Sequence, residues 1–370
     1  NRHLASPRWV RFTSARWVIF TSALTHFSLP GLEVTRNGYL AVDLFFVLSG
    51  FVIANAYSAR IDNPNQLTSF IVRRFGRLWP THMTASVLCY LIPSAIYAAL
   101  TSMHADIPQP TLPTVGEVLG IVFMTQGLHL YDHDIGTAVS WSSSDEFYVY
   151  LMFGVVCLAL RNRQRNVAFI SLALTGYAIA IWSSLNSQLC IEHRLCLDLT
   201  FDYGWARCIA GFFIGALIAE YRDRCWVVAA ARTSVQTIAF VAALLLIMFA
   251  DLVRGSAFLA PIVFGVLIAS LGRDTGPVAR LFQTRFAQYL GALSYSLYLG
   301  HAIFLKLLGA AANILTSPSA HLVEGTLFLM ASFALAYRMN QIVEIPFRRR
   351  FNAWSAAAFQ APAPTGTAAD

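Results

Sequence analysis

Ten runs of apolar residues, at 12–29, 39–58, 81–101, 145–161, 166–185, 205–221, 233–252, 257–272, 288–310 and 322–344, follow one another along a chain of 370 residues. A bilayer-crossing helix needs about 20 apolar residues, because the hydrocarbon core is about 30 Å thick and each residue advances about 1.5 Å. Backbone polar groups find no water in that core, so runs of this length are expected to be helices. The sequence therefore predicts an all-α protein, a polytopic membrane helix bundle of about ten transmembrane helices. Charged residues make up only 12% of the chain, against about 25% in ordinary soluble domains. That halving argues against a soluble enzyme and against a disordered chain. A weaker apolar stretch at 115–130 is expected to be interfacial or re-entrant.

Charge sets the orientation. The net charge of +7 comes almost wholly from arginine, since Lys306 is the one lysine. With a cytoplasmic N-terminus, the inner segments hold 21 of the 26 basic residues, from Arg2, Arg8, Arg11 and Arg16 through to Arg348, Arg349 and Arg350. The outer segment 102–144 has no lysine or arginine but contains Asp106, Glu117, Asp132 and Asp134. This is the positive-inside pattern, and it places both termini in the cytoplasm. The basic charge thus reads as topology, and no soluble basic domain stands ready for nucleic acid. The expected organisation is a transmembrane domain over 1–350 and a disordered cytoplasmic tail, rich in Ala and Pro, over 351–370.

Cys89, Cys157 and Cys208 fall in spans and read as small buried apolar residues. Cys190 and Cys196 share an outer loop, where the compartment permits a disulfide and the sequence fixes no geometry. No Cys/His spacing matches a metal site. His82, His104, His129, His133, His193 and His321 lie at helix ends or in outer loops and are expected at the surface, with His129 and His133 within reach of an outer ligand.

An ionisable side chain inside a span is costly and marks a functional candidate. Five stand out: His26, Asp43, Glu146, Arg207 and His301. Each alone can be a packing hydrogen bond; together, near the outer half of the bundle, they favour a shared polar cavity. On the inner side Arg73, Arg74 and Arg77 precede Pro80 and the third span. They anchor topology, and three guanidinium groups within five residues also suit phosphates. A histidine can take a proton from an alcohol while a carboxylate holds its tautomer. The chain has no Walker motif, dinucleotide fingerprint or Gly-x-Ser-x-Gly elbow. An activated group must then come from a diffusible donor.

At these residues the sequence resembles the acyltransferase 3 family of bacterial integral-membrane O-acyltransferases. The resemblance rests on His26; the run Asp43-Leu44-Phe45-Phe46-Val47-Leu48-Ser49-Gly50-Phe51; Arg73-Arg74-Phe75-Gly76-Arg77 with Pro80; and Trp141-Ser142 through Glu146 to Tyr150. It continues in Leu293-Ser294-Tyr295-Ser296-Leu297-Tyr298-Leu299 with His301, and in Glu344-Ile345-Pro346-Phe347. Arg207 with Phe213 and Gly215 is a weaker match, and Ser143 and Asp145 are polar where the family is usually apolar.

The resemblance implies an enzyme of the bacterial inner membrane, multi-pass, that moves an acyl group, usually acetyl from acetyl-CoA, to a sugar hydroxyl of a polysaccharide, glycolipid or lipo-oligosaccharide. It implies His26 as base or acyl relay, with Asp43 and Glu146 as its carboxylate partners. Arg73, Arg74 and Arg77 would hold the CoA phosphates. Arg16 stands ten residues before His26, one fewer than the family's usual spacing, which turns the helix by about 100°. Trp141, Ser142, Tyr150, Arg207, Ser294, Tyr295 and His301 would bind substrate or support the site, His301 mainly as support. The expected partners are acyl-CoA, a glycan or glycolipid acceptor and membrane lipids, with no metal. A transporter of a glycan or lipid intermediate is the rival reading, since buried charges in a ten-helix bundle suit it too.

Overall fold

The computed structural model describes residues 37–103, 109–224, 227–228, 231–272, 275–311 and 318–359. The first expected span, with His26 and Arg16, lies outside the described residues. The described residues are all-helical, with no strand. The helices are α1 Ala41–Tyr57, α2 Pro64–Ser102, α3 Val115–Val122, α4 Ser140–Ala159, α5 Asn162–Leu185, α6 Gln188–His193 and α7 Gly204–Glu220. They continue as α8 Thr233–Phe249, α9 Ala260–Ser270, α10 Pro277–Gln283, α11 Arg285–Ala311, α12 Pro318–Met339 and α13 Ile345–Phe359. Four segments, 38–57, 64–102, 162–185 and 233–252, combine the length and apolarity needed to cross a membrane.

The centre is built on α1 and α7, which pack closely together and are flanked by α4, α5 and α9. Glycines permit the approach. A Cβ at Gly50 would fall 1.8 Å from the Phe212 carbonyl oxygen, and one at Gly215 would fall 1.8 Å from that of Val47. Gly211 and Gly215 form a small-xxx-small stripe, the pattern that lets two membrane helices meet backbone to backbone. Phe46, Phe153, Phe169, Phe212 and Phe213 fill the surrounding space and are fully buried.

The helix expected at 81–101 begins much earlier, at Pro64. The Asn63 side chain caps it by accepting from the Gln66 amide at 3.0 Å, with Pro64 at its first turn. Pro80 and Pro93 lie inside the helix without ending it. Arg73, Arg74 and Arg77 are therefore helical residues on α2. Positions 73 and 77 are one turn apart on one face, with 74 beside them.

The early start of α2 also corrects the placement of His82, which is fully buried in mid-helix. The segment from 115 to 126 folds back over it, and His82 Nε2 lies 3.1 Å from the Ile121 carbonyl and 2.9 Å from Gln126 Nε2. The 115–130 stretch does contain only a short helix, α3, closed by a Thr114/Glu117 capping box. Its eight residues span about 12 Å, too little to cross.

The tail is a second correction. Residues 351–359 continue α13 as helix, because Phe351 and Ser355, spaced four apart, find partners on α2: Phe351 against Phe75 and Gly76, Ser355 on Ser69. Residues 360–370 lie outside the described residues. Cys190 and Cys196 are joined as a disulfide around α6.

Candidate active site

Sequence spacing of four on α4 puts Ser142, Glu146 and Tyr150 in one stripe, one turn apart. Across from it on α1, the Ser49 hydroxyl donates to Glu146 Oε1 at 2.6 Å and lies 2.8 Å from the Tyr150 hydroxyl. Tyr150 also donates to Glu146 Oε1. All three are buried. Arg77 of α2 is the cation that acts most strongly on Glu146, ahead of Arg74. Arg74 lies over the rings of Tyr57 and Tyr150, at 5.4 and 5.9 Å, and donates to the Tyr57 hydroxyl at 3.4 Å. Its Nε is buried and has no hydrogen-bond partner among the described residues.

Two turns toward the start of α1, Asp43 and Arg207 form a second buried centre. Arg207 Nη2 donates to Asp43 Oδ2 at 2.7 Å and Nε to Oδ1 at 3.3 Å. Nη1 reaches the Leu199 carbonyl at 2.9 Å, and Nη2 also reaches that of Tyr39 at 3.1 Å. The guanidinium lies 5.6 Å from the centre of the Trp141 ring, which closes the site from α4. Arg207 is thus held on every side, and its geometry suits positioning rather than contact with a reacting oxygen.

Helix α11 supplies the third wall. Ser142 and Tyr298 share a hydrogen bond of 2.8 Å, and Tyr295 donates to the Leu78 carbonyl of α2 at 2.9 Å. Ser294 bonds back to Gly291 of its own helix at 2.9 Å. His301 is fully buried, with Nδ1 on the Leu297 carbonyl at 3.1 Å, an arrangement that leaves Nε2 as the acceptor. A π-helical turn at Asn340–Glu344 turns Glu344 inward, where Ser296 donates to it at 2.7 Å and Asn340 at 3.0 Å. Among the described residues no three His, Cys, Asp or Glu side chains converge as a metal site.

A cavity of about 710 Å³ opens beside the arginines, lined by Tyr57, Arg60, Asn63, Gln66, Ser69, Arg73 and Phe359. Its size is that of a small-molecule or cofactor site, and its lining sets Arg60 and Arg73 beside amide side chains and one carboxylate, Asp62. Arg73 is fixed at its edge by donating Nε to Ser355 at 3.1 Å. Polar groups then run inward from Arg73 through Arg74 and Arg77 to Glu146.

Of the residues expected from sequence, Asp43 and Arg207 meet as a pair, and Glu146, Tyr150, Arg74 and Arg77 meet as a group. Ser142 and Tyr295 border that group; Ser294 turns away from it. Three contributors escaped the sequence reading. Ser49 and Glu344 lie within quoted motifs but were given no task. Asp145 is fully buried, and among the described residues neither carboxylate oxygen has a hydrogen-bond partner. It sits under the backbones of Gly127 and Gly204, with Arg207 and Asp202 as its nearest charges. Its polarity in an apolar setting was the available signal.

In the segment that follows α3, His133 bridges Glu117 Oε1 at 2.7 Å and Asp132 Oδ1 at 2.6 Å. Both ring nitrogens donate, which requires the imidazolium, and the hydrogen bonds from Glu117 and then Asp132 raise its pKa above 6.5. The Thr114 amide and then His133 hold Glu117 down to about 2.

Comparison with known proteins agrees with this architecture. The sequence profile described as Acyltransferase domain, that of the acyltransferase 3 family, matches residues 4–339. The peptidoglycan O-acetyltransferase OatA of Listeria monocytogenes is 22% identical over 340 residues, covering 85% of this chain and 52% of that protein. The acyltransferase MdmB of Streptomyces mycarofaciens is 35% identical over 127 residues, 33% of this chain and 29% of that protein. The chain thus spans about half the length of the Listeria relative and less than a third of the Streptomyces one. No solved structure matches. With a family profile covering nearly all of its length and a membrane-type helical fold, the chain belongs to the acyltransferase 3 family.

Proposed function

We propose that the protein is a multi-pass O-acetyltransferase of a bacterial inner membrane, with about ten spans and both termini in the cytoplasm. It takes acetyl from acetyl-CoA and delivers it to a hydroxyl of a sugar in a polysaccharide, glycolipid or lipo-oligosaccharide. The observation that carries this reading is the placement on one helix of Arg73, which lines the cavity, and of Arg74 and Arg77, the cations that act on the Glu146–Tyr150–Ser49 group. Phosphates bind at guanidinium groups through charge-assisted, bidentate hydrogen bonds. The narrow pantetheine arm would then lie between helices with its thioester near the buried carboxylate.

Transfer needs a base, a positioned donor and stabilisation of the oxyanion. His26 takes the proton of the acceptor hydroxyl. The hydroxyl oxygen then forms the new C–O bond at the thioester carbonyl, the C–S bond breaks, and the CoA thiolate leaves with the proton held by His26. Glu146 orients the base side of this exchange, its rotamer fixed by the Ser49 and Tyr150 hydroxyls. Asp43 and Arg207 hold α1 against α7 so that Ser49 keeps its register, and Arg16 completes the donor channel. Trp141, Tyr295 and His301 shape the acceptor side.

The test is acetyl-CoA binding and turnover by purified protein in detergent. We expect saturable binding, lost when Arg73, Arg74 and Arg77 are replaced by Ala, and acetyl transfer abolished in His26→Ala with binding retained. Well-folded protein that neither binds acetyl-CoA nor releases its thiol would overturn the reading.

A further inference from the structure

Helix α13 brings an arginine to the donor site that no part of the reading above uses. Its register on α2 follows from two contacts. A Cβ at Gly76 would fall 2.2 Å from the Phe351 Cβ, and Ser355 bonds Ser69 at 2.7 Å and Arg73 at 3.1 Å. Moving forward along α13 means moving back along α2, so the two helices run antiparallel. One turn before Phe351, Arg348 comes level with Arg77 and the turn that follows it. The start of α13 is anchored there, because the preceding π-helical turn ties Glu344 to Ser296 and Asn340.

Arg348 is solvent-exposed. Its charged surroundings are Glu344, Arg77, Arg349 and Arg74. Partial burial and the three neighbouring cations, outweighing Glu344, hold its guanidinium below the ordinary arginine range. Like charges gathered at one place repel, and a polyanion relieves that repulsion. Arg74, one turn before Arg77 on α2, also has a buried Nε with no hydrogen-bond partner among the described residues.

We infer that Arg348 is a phosphate-binding residue, closing with Arg74 and Arg77 on a phosphoryl group of the acyl donor, so that α13 forms one wall of the donor site. The inference rests on the reading of the donor as an acyl-CoA. A phosphoryl group could also arrive on an anionic lipid, and the test separates the two.

The experiment measures CoA affinity of the full chain in detergent, and in nanodiscs of phosphatidylcholine with and without phosphatidylglycerol, across a range of salt. Arg348→Ala is expected to raise the Kd for CoA about tenfold or more and to flatten its salt dependence, in detergent and in both nanodiscs. Arg348→Lys should fall between, keeping the charge and losing the fork. Arg350→Ala, whose guanidinium lies over Phe347 at 5.9 Å, should leave the Kd within about twofold. Should Arg348→Ala fail to fold, Arg348→Gln reads the same loss. An unchanged Kd, or a raised Kd with an unchanged salt slope, overturns the inference and leaves Arg348 a packing residue. An effect confined to phosphatidylglycerol nanodiscs assigns Arg348 to lipid instead. Wild-type protein that binds no CoA at all removes the donor reading, and the inference with it.

Discussion

The Tyr150 hydroxyl and the Ser49 hydroxyl both meet Glu146 at the same carboxylate oxygen, Oε1. Tyr150 reaches it from one turn along α4, and Ser49 reaches it from α1. Two hydroxyls converging on one buried oxygen fix the carboxylate's rotamer and bind α4 to the helix that carries Asp43. A preorganised carboxylate of this kind is what proton-transfer chemistry requires, since a group already in place needs no reorganisation during reaction.

Glu146→Gln is nearly isosteric and keeps an oxygen for the two hydroxyls. Acetyl turnover should nevertheless fall about 10²-fold or more, the usual scale for losing an acid–base group, with membrane insertion and CoA affinity retained. Tyr150→Phe should cost less, about tenfold. Rate measurements beside equilibrium CoA binding decide it, and a Glu146→Gln enzyme of normal rate would exclude any chemical role for that side chain.

Asp43 and Arg207 are 1% exposed or less and bonded at 2.7 Å. Removing either leaves an uncompensated buried charge, which costs about 3–5 kcal/mol. Asp43→Asn and Arg207→Met should each lower the thermal unfolding midpoint sharply in detergent. The double variant should recover much of that loss without recovering activity. Additive losses in the double variant would show that the two groups are not coupled.

Asp145 presents the opposite case. A buried carboxyl that accepts no hydrogen bond among the described residues destabilises the fold. Asp145→Asn should therefore raise the unfolding midpoint, and a fall in transfer rate alongside it would mark Asp145 as a group retained for function. A lowered midpoint would mean that Asp145 has a bonding partner in the intact protein.

The segment that follows α3 should be pH-sensitive through His133. Its raised pKa means that the imidazolium contributes fully below its ordinary value of 6.5 and is lost as pH rises through the raised value. Glu117, lowered from 4.5 to about 2, contributes above 4.5 and is lost as pH falls through about 2. Hydrogen-exchange protection of 114–133, corrected for intrinsic rates, should be highest between these limits and decline at alkaline pH. His133→Gln should remove the alkaline decline.

In denatured protein, reductant should add two maleimide adducts by mass over the unreduced sample, those of Cys190 and Cys196. Cys89, Cys157 and Cys208, all buried, should stay unlabelled in folded protein.

Apolar runs placed most helices within a few residues, because length and hydrophobicity are local properties; Ala41–Tyr57 was expected at 39–58 and Asn162–Leu185 at 166–185. The motifs named Asp43, Glu146, Tyr150 and Arg77; the last three lie together, while Asp43 pairs with Arg207 in a separate centre. What sequence could not supply was pairing. Nothing local says that Arg207 takes Asp43 across 164 positions, or that Ser355 crosses 286 to reach Ser69. Pro80 misled in the other direction. A proline ordinarily marks a helix boundary, yet α2 runs through it, so both the helix start and the burial of His82 were misplaced. Asp145 and Arg348 escaped for a related reason, since each is defined by its neighbours from other helices.

Helix α2 is about 58 Å long at 39 residues, nearly twice a hydrocarbon core. The fourteen residues from Pro64 to Arg77, about 21 Å of that length, carry its three arginines ahead of the apolar stretch. On the reading proposed above, a bulky, multiply charged donor docks along this basic stretch, and only its slender uncharged end needs to enter the oily layer. The helix would then sort its ligand by charge, holding the costly part at one end while the reactive tip is delivered across a boundary that the charge itself never passes.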